Sequence, residues 1–184
     1  MADQATAIRK APLAGLRGGS PAAILTPAAP ASRISLRAAP DAVSALSAAL
    51  GVTLPVRPKT SASTGKRHAL WVGPDEWLVI DEDGTDLMAA AASSGVMHSA
   101  VDISHRNTAV IVSGPGAAVA INSGCPQDLS LAIFPVGACS RTVLGKAEVV
   151  LLRTAEDTFR VECWRSFSPF VFGLLSEGAE DAGH

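Results

Sequence analysis

Between residues 32 and 104, the spacing of hydrophobic residues switches several times between the patterns typical of strands and of helices. In SRISLRA (32–38), apolar and polar residues alternate, which is typical of a half-buried β-strand. Residues 40–51 have apolar side chains at helical spacing and end at a glycine, which predicts a helix. After a Pro- and Ser-rich loop, HALWVGP and EWLVID predict two strands around a Gly-Pro-Asp turn, and a short helix and the strand SAVDIS follow. The predicted order is β-α-β-β-α-β.

A similar order is predicted for the second half of the chain. RNTAVIVSG predicts a strand and PGAAVAINSGC a helix, whereas CSRTVLGKAEVVLLRT is either one bent strand or two strands. TFRVECW predicts a further strand and SPFVFGLLSEGAE a closing helix. The first strands of the two halves are about 75 residues apart, which indicates an internal repeat. We therefore predict an α+β protein with two ferredoxin-like β-α-β-β-α-β units, residues 33–104 and 105–184, the second with a C-terminal tail.

Residues 1–32 differ from both units. They are rich in Ala, Pro and Gly and show no sustained period, so they are predicted to form an extended N-terminal arm without a core of its own. Four apolar side chains, which a solvated tail would not need, are spaced along this arm: Leu13, Leu16, Ile24 and Leu25. Our hypothesis is that these four side chains contact a partner and that the arm is ordered only against it.

Composition and charge exclude several classes of partner. The chain has 184 residues, of which 48% are hydrophobic, and a formal net charge of −2 from 15 basic and 17 acidic side chains. This balance gives little electrostatic attraction to nucleic acid or to an anionic membrane. No apolar run reaches the roughly 18 to 20 residues of a membrane-spanning helix, and the N-terminus lacks the apolar core of a secretory signal. We expect a cytoplasmic protein that binds neither nucleic acid nor membrane.

The three cysteines are expected to be reduced and structural. Cys125, Cys139 and Cys163 are an odd number, with no Cys-x-x-Cys pair and no histidine at ligand spacing, so neither disulfides nor a zinc site is predicted. Cys125 follows the C-terminal end of a predicted helix, where the helix dipole does not activate a thiol. The stretch INSGCPQDLSLAIFPVGACS (121–140) is therefore interpreted as scaffold. A cysteine-dependent enzyme that uses Cys125 is an alternative.

Two glycine motifs are similar to phosphate-binding loops. GPG (114–116) follows a strand and opens a helix, but Val119 stands where a dinucleotide motif needs a small residue, so a tight turn explains the glycines as well. GK (65–66) lacks a glycine at Thr60 and a metal-binding hydroxyl at Arg67, so we interpret it as a solvated, flexible loop.

Two groups of polar side chains suggest catalysis but have structural explanations. Asp102 and Ser104 share one face of a strand while His105 points to the other, which favours capping over a nucleophile. The adjacent carboxylates in DE (75–76) diverge on a strand, and a turn followed by a strand that buries Trp77 accounts for them.

Several motifs in fixed order resemble a known family. They are PLAGL (12–16), GPDEWLVI (73–80), VDISHRNTAVIVSGPGA (101–117), GCPQDL (124–129), FPVGACSRTVLGKAEVVLLR (134–153) and FRVECWRSF (159–167). Over nearly the whole chain, this pattern resembles the gamma subunits of bacterial heterotetrameric sarcosine oxidases. The resemblance implies a fold related to the folate-binding aminomethyltransferases of glycine cleavage (T-protein), whose Asp-x-Ser strand and Gly-Pro-x-Ala helix start are similar to residues 102–104 and 114–117.

The resemblance also implies a role for the chain. In this family the alpha subunit carries the NAD and folate sites, the beta subunit holds FAD with FMN near its interface with alpha, and the delta subunit binds zinc. Gamma binds none of these groups, so catalytic, cofactor-binding and metal-binding residues are not expected here. The expected role is noncatalytic support of a complex that oxidises sarcosine to glycine, with tetrahydrofolate as one-carbon acceptor and hydrogen peroxide as co-product. The alternative is a stand-alone folate-binding or aminomethyl-transferring enzyme, if the two units enclose a pocket.

Overall fold

The structure is a computed structural model that describes residues 11–184. Within this range the chain forms two antiparallel sheets and four α-helices. The strands are β1 (Gly18–Gly19), β2 (Ile24–Pro27), β3 (Ser32–Arg37), β4 (Ser61–Thr64), β5 (Arg67–Gly73), β6 (Glu76–Asp81), β7 (Ser99–Asp102), β8 (Asn107–Ser113), β9 (Cys139–Leu144), β10 (Ala147–Ala155) and β11 (Thr158–Trp164). The helices are α1 (Val43–Leu50), α2 (Leu87–Ala92), α3 (Ala117–Asn122) and α4 (Ser168–Asp181). None of the helices between residues 11 and 184 is long and apolar enough to span a bilayer.

The first sheet has the strand order β4-β5-β6-β3-β7. Side chains on alternate positions of β6 enter different cores, because successive residues of a strand point to opposite faces. Trp77 and Val79 pack with α1 and α2, whereas Leu78 and Ile80 face the other way. The Trp77 Nε1–H donates to the Pro55 carbonyl oxygen at 2.7 Å, so its polar group is satisfied within the core. The predicted burial of Trp77 is confirmed.

The second sheet has the order β1-β2-β8-β11-β10-β9 and divides its side chains in the same way. Val149 and Leu151 of β10 pack with α3 and α4, while Val150 and Leu152 face the first sheet. The two sheets therefore pack face to face, with a pair of helices covering the outer face of each. The shared apolar layer between the sheets consists of Ala31, Leu70, Leu78, Ile80, Ile103, Cys139 and Leu152.

Within residues 11–32, the N-terminal segment joins the second sheet through β1 and β2, which corrects the prediction of a separate arm. Residues 1–10 of the predicted arm lie outside the described residues. Strand β2 pairs with β8 from Ile24↔Ser113 to Pro27↔Val110. Inside the outermost strand β1, the second sheet runs β2-β8-β11-β10-β9, and the first sheet runs β7-β3-β6-β5-β4 in the corresponding direction. Strand β2 thus occupies, beside β8, the place that β7 occupies beside β3 in the first unit. The boundary predicted at residue 32 separates a strand from its own sheet.

The four predicted contact residues of this segment divide into two pairs. Leu13 and Leu25 are each only 2% exposed and belong to the core between the second sheet and its helices. Leu16 and Ile24 are 43% and 53% exposed. The interface prediction therefore narrows to Leu16 and Ile24, because Leu13 and Leu25 are already buried within the chain.

A chain of buried ions lies between the sheets. The carboxylate of Glu162, which is 0% exposed, accepts hydrogen bonds from Arg33 Nε at 2.8 Å and Nη2 at 3.1 Å, and from Arg160 Nε at 2.8 Å. Arg160 Nη1 also bonds to Glu82 at the edge of the cluster. Strand β3 of the first sheet is thereby tied to β11 of the second. Two guanidinium groups and two carboxylates balance in charge, which is the condition under which buried ions are tolerated.

Replacing Glu162 by glutamine should destabilise the chain by about 3 to 5 kcal/mol, because it leaves two buried guanidinium groups with one carboxylate. The measurement is urea denaturation of the purified chain followed by circular dichroism. Glu148→Gln is the matched control: Glu148 lies exposed on β10, and its loss should stay within about 0.5 kcal/mol. Equal stability of the two variants would contradict the role assigned to Glu162.

Leu25→Ala should cost the isolated chain about 2 to 5 kcal/mol, since Leu25 is buried in the core of the second unit. Its neighbour Ile24 points outward, so Ile24→Ala should change stability by less than about 0.5 kcal/mol. Thermal and urea unfolding of both variants provide the test. If neither substitution matters, the segment is not part of the folded unit in the absence of a partner.

Candidate functional site

The glycines at the start of α3 contact the N-terminal segment of the same chain. The N–H of Gly116 donates to the Ala22 carbonyl oxygen at 2.8 Å, and a Cβ at Gly114 would lie 2.5 Å from the same oxygen. Gly114 also has a φ of 120°, which side chains disfavour. The N-terminal segment therefore packs against the start of α3 and accepts its Gly116 N–H. The tight-turn interpretation of GPG (114–116) is confirmed.

The second glycine motif is an ordered hairpin turn. Strands β4 and β5 pair in register from Ser61↔Leu70 to Thr64↔Arg67, which leaves Gly65 and Lys66 as a two-residue connection. Lys66 Nζ forms an exposed ion pair with Asp83 Oδ1 at 2.9 Å. The interpretation as a flexible loop was wrong, because four residues of the Ser-rich stretch form an edge strand that the weak alternation in SAST did not indicate.

Asp102 and Ser104 connect strands, as the capping interpretation predicted. Ser104 Oγ donates to Asp102 Oδ1 at 2.6 Å, and the Ser104 backbone N–H donates to the same oxygen at 2.8 Å. Ser104 Oγ accepts from the Arg33 backbone N–H at 2.8 Å. His105 is exposed. The Ser104 hydroxyl is thus hydrogen-bonded to both Asp102 and the backbone of β3.

The adjacent carboxylates at positions 75 and 76 have separate structural partners. Asp75 forms an exposed, long ion pair with Arg37 at 3.4 Å, whereas Glu76 Oε1 accepts from Arg141 Nη2 at 2.6 Å. Because Arg141 lies on β9 and Glu76 on β6, this second pair joins the two sheets. The two carboxylates do not converge on a common point, so they do not form an acid and base pair.

The three thiols are buried. Cys125 Sγ lies 3.9 Å from Thr142 Oγ1, and Cys139 Sγ lies 3.1 Å from the Thr60 carbonyl oxygen. Burial raises the pKa of the Cys139 thiol and of the Cys163 thiol to about 12. All three are free cysteines. Enclosure keeps a substrate away from all three thiols, which opposes a cysteine-dependent reaction.

The cleft between the two sheets is too small for a flavin or a folate. Its volume is about 50 Å³, whereas ligand pockets typically measure about 300 to 1,000 Å³. Its mouth is lined by Glu76, Arg106, Arg141 and Trp164. Between residues 11 and 184, no group of three His, Cys, Asp or Glu side chains is placed to hold a metal ion.

Exposed apolar side chains at three places form candidate partner-binding surfaces. At the mouth of the cleft, the Arg106 guanidinium lies 5.2 Å from the ring centroid of Trp164, and Trp164 packs against Phe167. A groove of about 570 Å³ next to β2 includes Leu16 and Ile24. The third place is the irregular segment between α3 and β9.

Sequence reasoning missed this third surface, which lies within the stretch first interpreted as scaffold. Leu131, Ile133 and Val136 are 47%, 56% and 51% exposed, although the segment has no regular secondary structure. A signal was available, because residues 129–140 contain no charged side chain. The stretch was interpreted as scaffold from the position of Cys125 at a helix end, and only the backbone path shows which of its apolar side chains point outward.

Comparison with known proteins gives consistent matches over most of the chain. Residues 35–181 match the "Sarcosine oxidase, gamma subunit family". A sarcosine oxidase subunit gamma from an Arthrobacter species is 34% identical, covering 76% of this chain and 71% of the relative. The subunit gamma from Corynebacterium sp. (strain U-96) is 30% identical, covering 96% of this chain and 92% of the relative.

Two solved structures are similar in fold. A chain in heterotetrameric sarcosine oxidase from Corynebacterium sp. U-96, in complex with pyrrole 2-carboxylate, matches with a TM-score of 0.88 and 27% identity, covering 96% of this chain and 97% of that chain. The glycine cleavage system aminomethyltransferase T from Bartonella henselae matches with a TM-score of 0.61 at 13% identity, covering 82% of this chain and 44% of that chain. The second match shows a shared fold alone.

The thiols of the native chain should be almost unreactive toward Ellman's reagent at about pH 8. Cys139 and Cys163 stay protonated well above that pH because of their burial, and Cys125 is enclosed. After denaturation in guanidinium, all three thiols should titrate. One thiol that reacts quickly in the folded chain, and disappears in Cys125→Ser, would revive the cysteine-dependent alternative.

Proposed function

The chain belongs to the sarcosine oxidase gamma subunit family, and we propose that it is a noncatalytic subunit that supports assembly of a heterotetrameric sarcosine oxidase. The observation that carries this proposal is the match, along almost all of both chains, to a chain of a heterotetrameric sarcosine oxidase. The fold shared along the whole length supports the same position in such an assembly.

The proposed reaction of the complex is oxidative demethylation of sarcosine to glycine in the cytoplasm, with tetrahydrofolate and oxygen as co-substrates and hydrogen peroxide as a product. In the proposal, FAD, FMN, NAD and zinc are held by the alpha, beta and delta subunits. The interior of this chain supports that division. Its inter-sheet cleft is smaller than a flavin or folate needs, and the amide of Gly116 is bonded to Ala22.

The role proposed for this chain is to bury surface against its partners. Leu16 and Ile24, beside the groove along β2, are the contacts proposed for the N-terminal segment. Trp164, with Arg106 over its ring, has the composition of an interface hot spot, since tryptophan and arginine are enriched there. Stable complexes hide about 800 Å² on each partner, so several such surfaces would contribute.

A stand-alone folate-binding or aminomethyl-transferring enzyme is the competing function. It predicts a ligand site within this chain, and it takes support from the fold shared with aminomethyltransferase T. That match covers 44% of the longer protein, so the chain corresponds to only part of that enzyme.

When co-expressed with the other oxidase subunits of its organism, the chain should purify in a flavin-containing complex that oxidises sarcosine. The isolated chain should carry no flavin absorbance and give no heat on titration with tetrahydrofolate. A folate dissociation constant in the low micromolar range would favour the aminomethyltransferase alternative. It corresponds to a binding free energy of about −8 kcal/mol. Failure to enter the complex at all would contradict the subunit proposal.

A further inference from the structure

The segment between α3 and β9, residues 123–138, exposes apolar side chains on a fixed backbone. Leu131, Ile133 and Val136 each have about half of their surface in solvent, within six residues of chain. Soluble chains seldom cluster large aliphatic side chains in this way, and such clusters typically mark sites of protein contact. Residues 129–140 carry no charge that would keep this surface hydrated.

The exposed side chains are positioned from below by buried groups. Leu129 and Phe134 are buried beneath the segment, and the ring of Phe134 stacks with that of Phe159, with 6.4 Å between centroids. Arg153 Nη1 donates to the carbonyl oxygens of Leu129 at 2.8 Å and Phe134 at 2.7 Å. The N–H of Gly137 donates to the Arg153 carbonyl oxygen at 2.9 Å.

This support makes the segment a preorganised surface. Arg153 is itself buried, and its guanidinium lies 4.6 Å from the ring centroid of Phe159. Arg153 donates to the carbonyl oxygens of Leu129, Phe134 and Glu156, and these hydrogen bonds fix the backbone around them. Because the backbone is already ordered, a partner that binds here loses little conformational entropy in the segment.

We propose that Leu131, Ile133 and Val136 insert into an apolar, uncharged hollow on another subunit of the oxidase complex. The proposal rests on the proposed function as a subunit and names the surface and the chemistry of its partner. An interface of about 800 Å² per partner involves roughly 20 to 30 residues a side, so these three side chains would be only part of the contact. They would form its centre, because the core of an interface is more apolar than its rim.

Shape and charge favour a different subunit over a second copy of this chain. A symmetric dimer needs a patch that is complementary to itself, so projecting side chains must meet hollows of the same patch. None of the three exposed side chains lines the inter-sheet cleft, the groove beside β2 or three further surface hollows. A projecting, uncharged surface fits an apolar hollow on a different chain, and the match to a chain of a heterotetrameric oxidase favours another subunit as the carrier of that hollow.

The test uses the complete complex and the variant Ile133→Asp, which places a charge on the surface without touching the core. Affinity for the remaining subunits is measured by titrating a labelled chain into the complex that lacks it. We expect the dissociation constant to rise at least tenfold, because the partner hollow would have to bury an unpaired carboxylate. The melting temperature of the isolated variant should equal that of the wild type.

Met97→Asp is the control, since Met97 is an exposed apolar side chain in the first unit. It should bind as the wild type does, and an equal loss of affinity for Met97→Asp would overturn the assignment to this segment. If Ile133→Asp lowers the melting temperature, the milder double variant Ile133→Ser/Val136→Ser replaces it, with the same expected loss of affinity.

The remaining outcomes separate the two proposals. A wild-type chain that does not bind the other subunits refutes the function as a subunit. A wild-type chain that binds, together with Ile133→Asp that binds equally well, refutes only this surface. If the isolated chain sediments as a dimer that Ile133→Asp converts to a monomer, the occupant is a second copy and the proposed partner is wrong.

Discussion

The rest of the structure depends on the charge balance between the two sheets. Glu162 is fully buried on the central strand β11, and it is tolerable there only because Arg33 from the other sheet and Arg160 from its own strand both bond to it. These bonds require one distance and one register between the sheets. The apolar side chains around them would pack in several nearly equivalent arrangements, since apolar contacts have little directionality, whereas the Arg33 bonds to both carboxylate oxygens are directional.

A second constraint ties the beginning of the chain to its end. Strand β2 occupies the edge of the second sheet that would otherwise expose β8, and Ser20 Oγ donates to the carbonyl oxygen of Ala179 in α4. Gly116 binds Ala22 in the same region. The contacts join residues more than 80 positions apart, so the second unit is complete only when the N-terminal segment has returned to it. This arrangement explains why a segment without a periodic pattern is nevertheless ordered.

The residues that look chemical in the sequence serve mainly to hold parts of the fold together. The Asp102 and Ser104 pair bonds to β3, Glu76 bonds across the sheets to Arg141, and Gly114 lets the N-terminal segment pass close to α3. Polar groups that complete the fold in this way are not free to bind a substrate. Several large apolar side chains nevertheless remain exposed, and this feature suits a chain whose proposed role is contact with other subunits.

The sequence by itself determined the strands with clear alternation and the helices. The continuous apolar run from Trp77 to Ile80 could be assigned to a strand because it is short and follows a Gly-Pro-Asp turn. The tertiary structure alone decided which sheet β2 joins, that Leu25 is buried while Ile24 is exposed, and that Ile133 projects from a loop held by Arg153. These features depend on partners far away in the chain. Hydrophobicity reports that a side chain avoids water, and it does not report whether its own chain or another one provides the cover.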